Sequence, residues 1–344
     1  MKKTYKQLIK IIAKTSLLAT PFIFLLTIYF VKDPYMVLRE YEDYDHPVLN
    51  QPNIGYIMWH KFLKYNPEKH YDSFIIGASA TLAFTCDDWN KHIQSSPIRT
   101  ISFNEGLYNN YARMKALDEM KGQKIKNVLI ITDSKLLPIT EPQEGVSFDI
   151  GPNINGISWF KFHTNFIKSF LVADFFVPYL RYLFTGYYDK GSNAIINNRV
   201  KTLEKYTNDA VEVKAIENLI AQKGFQFFFK KNKEKFAHAL NLKPKMLPPR
   251  LGKSQINILK ALKQLANKHK TNLKLVIAPR LNKDYINDKD FAILQQILGK
   301  ENVFSYEVNV HKELNKTENF YEPDHFRTSV GQYILNDIYG KVKE

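Results

Sequence analysis

Cysteine is almost absent from this 344-residue chain, which carries only Cys86. One thiol excludes any intramolecular disulfide, so the fold must be held by packing alone, and the thiol itself reads as a small buried hydrophobe. Metal-ligand patterns are missing too: there is no Cys/His pair and no His-Glu-x-x-His element, and His46, His60, His70 and His92 are not spaced to gather ligands. Neither a metal nor a cofactor is expected. No internal repeat and no nucleic-acid-binding module is present. The formal charge of +15 is therefore assigned either to attraction for anionic lipid head groups and acidic cell-surface polymers or to lysines spread over a solvated surface.

Charge is also missing from Thr15 to Val31, and this absence is informative. Lys2, Lys3, Lys6, Lys10 and Lys14 precede the run and Lys32-Asp33-Pro34 follows it. As a helix it covers about 25 Å, and tilting or snorkelling of Lys10 and Lys14 extends it over Leu8 to Ala13, enough to cross a bilayer. A cleaved signal peptide shares the charged head and apolar stretch, but no small-x-small cleavage site follows Phe30, which favours a retained anchor. The lysine excess ahead of the run predicts an N-terminus in the cytoplasm. Everything after Lys32 would then lie outside the inner, or cytoplasmic, membrane, in the periplasm or at the cell surface.

Short apolar runs at Ser73 to Gly77, Thr100 to Phe103, Asn127 to Thr132, Leu273 to Ala278 and Val303 to Tyr306 read as strands. Helical spacing covers Leu82 to Ile93, Asn109 to Met120, Ser254 to His269, Lys289 to Leu298 and Ser329 to Val342, the last with Thr328 as a candidate cap. Continuously apolar strands alternating with helices imply an α/β domain whose parallel sheet is covered on both faces, with ligands at the carboxyl ends of the strands. The alternation lapses in the middle. There follow a Gly/Asn/Pro-containing loop at Pro142 to Gly156, an aromatic-rich run from Trp159 to Tyr188, a polar stretch to Arg199, a charged helical pattern to about Gln222 and a basic aromatic patch at Phe225 to Lys231. Phe166 to Phe184 is interrupted by Lys168, Asp174 and Arg181 and broken by Pro178. It reads as a buried or membrane-surface helix pair rather than a second span. The expected organisation is head and anchor at 1–32, a first α/β part at 33–140, a mainly helical insertion lying over the site at 141–253, and a second α/β part at 254–344.

Two motifs carry the chemistry. Asp72-Ser-Phe-Ile-Ile-Gly-Ala-Ser-Ala-Thr81 is a buried strand running into a small-residue turn that presents Ser79 at the strand's carboxyl edge. Phe320-Tyr-Glu-Pro-Asp-His-Phe326 places a carboxylate three residues before a histidine, ahead of the C-terminal helix. A serine after a strand is commonly a helix cap, and a lone Glu-x-x-His is commonly a surface cluster. Together, on one sheet edge, they supply a nucleophile, a base and an acid that orients the base.

These residues resemble the SGNH/GDSL-like hydrolase and acyltransferase superfamily, and within it the membrane-anchored cell-envelope branch of alginate-type O-acetylation and teichoic acid D-alanyl-transfer proteins. The resemblance covers Ser73 to Pro138 and Leu273 to Tyr339 and leaves the middle unmatched. It implies a three-layer parallel-sheet, flavodoxin-like SGNH domain. Ser79 would be the nucleophile, His325 the general base and Glu322 its acid; the Ser79 and Gly106 N–H groups, with Asn104 as a substitute donor, would form the oxyanion hole. Two positions depart from that pattern. Glu322 stands where aspartate is usual, which displaces the carboxylate by about one C–C bond and requires the loop to adjust. Asp133 stands where an asparagine side chain usually faces the oxyanion. A carboxylate there would repel it, so Asp133 is assigned to bracing the Ser79 turn or binding a substrate hydroxyl; Asp324, at the wrong offset for the histidine, is a supporting residue.

The implied function is transfer of an acyl group, acetyl by resemblance, from a donor to an envelope polysaccharide, or its hydrolysis, beside a multispanning acyl-exporting membrane protein as partner. Nucleic acid is not a partner, and membrane lipid is one through the N-terminal helix. The alternative is a non-catalytic protein that keeps the fold to bind polymer or assist its export or assembly.

Overall fold

The computed structural model describes residues 2–41, 44, 54–101, 105–143, 145–186 and 203–341. In chain order the first elements are α1 (Lys2–Lys32), α2 (Ile54–Lys69) and β1 (Ser73–Gly77), then a 3-10 turn (Ser79–Ala83), α3 (Cys86–Ile93), β2 (Pro97–Ile101), α4 (Leu107–Glu119) and β3 (Asn127–Thr132). The middle of the chain is helical: α5 (Pro152–Asn155), α6 (Trp159–Phe170), α7 (Ala173–Thr185), α8 (Val211–Lys223) and α9 (Phe225–Leu240). The last part returns to alternation with α10 (Lys253–His269), β4 (Asn272–Ile277), α11 (Asp288–Leu298), β5 (Val303–Ser305), the short pair β6 (Phe320–Glu322) and β7 (His325–Phe326), and α12 (Thr328–Tyr339). The chain divides into two compact units, residues 1–51 with 158–199 and residues 52–157 with 200–344.

The larger unit is an α/β fold around a five-stranded parallel sheet in the order β2-β1-β3-β4-β5. The inner positions of its central strands form continuous apolar runs, Phe74 to Ile76 and Val128 to Ile131, because successive side chains enter different cores. Phe74, Ile76, Val128, Ile130, Leu273, Leu275 and Ile277 pack on one face with Phe62 of α2, Leu117 of α4, Leu262 of α10 and Leu294 of α11. Ile75, Leu129, Ile131 and Val276 pack on the other with Trp89 of α3, Phe236 of α9 and Ile334 of α12. Each fully buried side chain of this size contributes roughly 1.5–3 kcal/mol, so two continuous cores replace the staple that a single cysteine denies. From β1 the chain goes first to β2 on one side and then to β3 on the other. Such a reversal opens a crevice at the carboxyl ends of β1 and β3.

Several sequence expectations shift. The second strand covers Pro97–Ile101 and so starts earlier than the expected Thr100; Ser102 and Phe103 lie outside the described residues. Its Arg99 hides the pattern: the side chain is fully buried, donating to Asp209 Oδ1 at 2.9 Å and to the Phe84 carbonyl. The expected helix from Leu82 begins instead as the 3-10 turn, and α3 starts only after Thr85, whose hydroxyl accepts from the Asp88 N–H. Thr328 is not a cap. Arg327 holds the cap position without a side-chain bond, and the Thr328 hydroxyl donates to Glu217 Oε1 at 3.0 Å. The basic aromatic patch is the start of α9, with Phe228 buried against Tyr321.

The smaller unit holds α1, α6 and α7. Over Tyr5–Lys32, α1 is long and apolar enough to cross a membrane, and none of its apolar window is buried. The break between α6 and α7 falls at Leu171 and Val172, and Pro178 lies inside α7 instead of ending it. The polar stretch from 187 to 199 and His46 lie outside the described residues.

Candidate active site

β1 ends at Gly77, whose φ of +138° lets the chain turn sharply beside the Ile131 carbonyl. The next residues form one 3-10 turn, closed by the Thr81 N–H and hydroxyl donating to the Ala78 carbonyl at 3.1 and 2.8 Å. Ser79 opens this turn half-buried, but the capping position belongs to Ala78 and no side chain caps it. Its hydroxyl is directed elsewhere. Ser79 Oγ lies 2.6 Å from His325 Nε2, and His325 Nδ1 lies 2.5 Å from Glu322 Oε1. The three side chains, 246 residues apart at the extremes, form one continuous relay.

The relay depends on how the β6–β7 hairpin is held. Glu322 pairs with His325 across it, with Pro323 and Asp324 at the tip and an irregular register between Phe320 and Glu322. That irregularity, together with the extra methylene, lets a glutamate reach Nδ1 where a shorter acid would need another loop. Four neighbours pin the hairpin. From the loop after β4, the Leu281 N–H donates to the Pro323 carbonyl at 2.9 Å, and Arg280 grips Asp324 Oδ1 through Nε at 2.8 Å and Nη2 at 2.7 Å. From α8, Glu217 accepts from Tyr321, Arg327 and Thr328. Burial would raise the Glu217 carboxyl, but these donors outweigh it and hold it below the ordinary carboxylate value. From α9, Lys235 Nζ stands 3.4 Å from Glu322 Oε2. Behind the hairpin, α12 lies against the serine turn so closely that a Cβ on Gly331 would strike the Ala83 carbonyl.

The relay is electrostatically consistent. The His325 hydrogen bond, opposed by partial burial and aided by the charges of His325 and Lys235, holds Glu322 down at about 2. It is ionised at any physiological pH and can stabilise a cationic imidazole. Because the folded value is depressed, its contribution to stability is present above the ordinary 4.5 and is lost as pH falls through about 2.

The remaining predicted residues are distributed as follows. Gly106 is buried at the N-terminus of α4, which follows β2, the strand beside β1. Asn104 lies outside the described residues. Asp133 follows β3, and its Oδ1 accepts from the Lys135 and Leu136 N–H groups at 2.7 and 3.2 Å. The carboxylate thus braces its own turn, and it faces Arg280 Nη1 at 3.7 Å. Asp324 is exposed and belongs to Arg280, not to the histidine.

Sequence reading missed Arg280, Glu217, Lys235 and Glu307. Arg280 had a usable signal, since it stands just beyond a strand's carboxyl end. The others had none. Glu307 lies buried behind the Asp133 turn, where its Oε2 accepts from the Ile286 N–H at 3.0 Å. Burial pushes it up to about 7, with the Asp133 charge adding to the rise and bonds from Ile286, Ser134 and Ser305 opposing it. A carboxyl raised in the folded state stabilises fully below its ordinary 4.5 and loses that stabilisation as pH rises through about 7. Glu307→Gln should therefore flatten the stability profile across this window. Its unfolding free energy relative to the parent should rise between pH 5 and 8 by up to about 3 kcal/mol. Urea unfolding at the two pH values checks this.

Among the described residues no three His, Cys, Asp or Glu side chains gather as metal ligands. The arrangement can deprotonate a serine hydroxyl and hold the resulting imidazolium. Comparison of the chain with protein-family models, curated proteins and solved structures returns no match to any of them.

Proposed function

We propose that this protein is an anchored, extracytoplasmic serine acyltransferase or esterase of SGNH-like type acting on O-acyl groups of a cell-envelope polysaccharide. The observation that carries the reading is the unbroken Ser79–His325–Glu322 relay at the carboxyl edge of the sheet. The sheet order and the apolar α1 ahead of the α/β unit support it. The N-terminus would be cytoplasmic, and the acyl donor would be delivered beside a multispanning membrane protein.

In this mechanism neutral His325 donates Nδ1–H to Glu322 and accepts the Ser79 hydroxyl proton at Nε2. Ser79 Oγ attacks the donor carbonyl as that proton moves to His325, and Glu322 stabilises the imidazolium. Backbone N–H groups of Ser79 and Gly106 are assigned to the oxyanion. The tetrahedral intermediate collapses with loss of the donor's leaving group, which takes the proton from His325, and an acyl ester remains on Ser79. An acceptor hydroxyl then gives its proton to His325 and attacks this ester; as the second intermediate collapses, the acyl group stays on the acceptor and Ser79 Oγ leaves with the proton returned by His325. A sugar hydroxyl gives transfer, and water gives hydrolysis.

The test is exposure of the purified full chain to a small activated acetyl ester, followed by intact-mass detection. An acetyl mass gain that maps to Ser79 and vanishes in Ser79→Ala is the expected result. A folded chain that gains no mass and turns over no ester would overturn the enzyme reading in favour of a polymer-binding module. Asp133, at the position where the resemblance implies an asparagine, is the feature that favours that second reading.

A further inference from the structure

An apolar stripe runs along α7 on the side away from its own core. Ala173, Val177, Leu180 and Phe184 recur at helical spacing, and Val177 and Phe184 are 54% and 72% exposed. Phe175 and Tyr179, on the opposite side, are buried, so α7 has two apolar faces and covers only one. Asp174, Arg181 and Thr185 form the polar strip between them. At the start of α6, Trp159 and Phe160 are exposed as well, Phe160 to 82%. Left in water, this many large apolar side chains would each forgo on the order of 1.5–3 kcal/mol of burial.

What covers the stripe follows from where the unit ties α6 and α7. Tyr29, in the last turn of α1, is fully buried, with its ring 5.4 Å from Phe170 at the end of α6. Tyr35, just beyond α1, stacks on Phe175 of α7 at 5.0 Å, lies edge-on to Phe166 at 5.1 Å and donates its hydroxyl to Ser169 Oγ at 2.9 Å. Arg39 donates to the carbonyls of Phe30 and Val31, closing the end of α1. The α6–α7 hairpin is thus packed on the exit turn of a helix whose own apolar surface, Leu17, Leu18, Phe22 and Ile23 included, is bare. That exit turn is where a spanning helix meets the head groups.

We infer that the α6–α7 hairpin is a second membrane contact, an interfacial element that lies in the outer head-group layer beside α1 with the α7 stripe and Trp159–Phe160 turned into lipid. Side chains so placed sit about 5–10 Å into the boundary. The hairpin is too short of charge-free length to span, because Asp174 and Arg181 lie on α7 itself. With α1 alone the unit could rotate about its anchor; with this second contact it has a fixed orientation. The inference requires α1 in a bilayer but not the acyl chemistry, so its failure would leave that chemistry standing.

The test uses the full chain reconstituted in phosphatidylethanolamine and phosphatidylglycerol vesicles. Cys86 is buried, so a polarity-sensitive dye can be placed at Val177→Cys or Phe184→Cys on the stripe and at Arg181→Cys or Thr185→Cys on the polar strip. All four positions are exposed, which keeps the fold out of question. Stripe labels should show blue-shifted emission, lose roughly half of it to lipids carrying a nitroxide near the head group and resist iodide, as expected for an interfacial depth. Polar-strip labels should respond in the reverse way. Iodide quenching of the stripe labels would place the hairpin in water and overturn the inference. Protection from both quenchers would mean that protein, a second copy or a partner, covers the stripe, and would overturn it equally.

Discussion

His325→Ala should lower the rate of Ser79 acylation by about 10⁴-fold or more while costing only about 1–2 kcal/mol of stability, the loss of one charge-assisted hydrogen bond to a part-exposed Glu322. The size follows from the relay's order. Without Nε2 at 2.6 Å the Ser79 hydroxyl has no base, and a serine alkoxide does not form at neutral pH unaided. The small effect on stability follows from partial exposure: the His325 side chain is 25% exposed and fills no core position. Glu322→Gln should cost about 10²–10⁴-fold, because the amide cannot balance an imidazolium and can favour the wrong tautomer. Rates from stopped-flow acylation by an activated ester, set beside urea midpoints for the same samples, check both. An equal loss of rate and of stability would indicate a structural role for the histidine instead.

Gly77→Ala should cost more than about 4 kcal/mol of stability. Two costs combine. The φ of +138° is a region that a Cβ disfavours, and the added carbon would fall on the carbonyl oxygen of Ile131, the residue paired with Gly77 across β1 and β3. Neither strand can yield, since both are central and packed on two faces. Against a total stability of about 5–15 kcal/mol for a domain, such a loss empties much of the native population. Urea unfolding checks it. A midpoint shift below about 1 kcal/mol would mean that β1 and β3 separate more easily than their packing implies.

The chain alone made much of the sheet legible. β1 and β3 read correctly to the residue because each buried central strand carries an unbroken apolar run, Phe74 to Ile76 and Val128 to Ile131, flanked by polar or turn residues. β2 was displaced because its buried Arg99 looks polar in sequence, and only Asp209, 110 residues later, explains it. The helix expected from Leu82 starts only at Cys86, because periodicity cannot distinguish the end of a 3-10 turn, here Leu82 and Ala83, from the start of an α-helix. The middle segment gave no alternation to follow. The contributions of α8 and α9, through Glu217 and Lys235, therefore had no local mark.

The sequence by itself determined the chemistry on offer: a serine after a strand, an acid three residues before a histidine, a charge-free run near the N-terminus and no thiol to spare. These are local facts, written in residue type and spacing. Tertiary structure alone decided that Ser79 meets His325, that Glu322 reaches Nδ1 despite its extra methylene and that Asp133 serves its own turn. It also decided that the α6–α7 aromatics divide between buried rings, Phe166, Phe170, Phe175 and Tyr179, and exposed ones, Trp159, Phe160 and Phe184. The reason is physical: a hydrogen bond of 2.6 Å between residues 246 positions apart is set by sheet order and helix packing. Both arise from burial summed over the whole domain rather than from any local pattern.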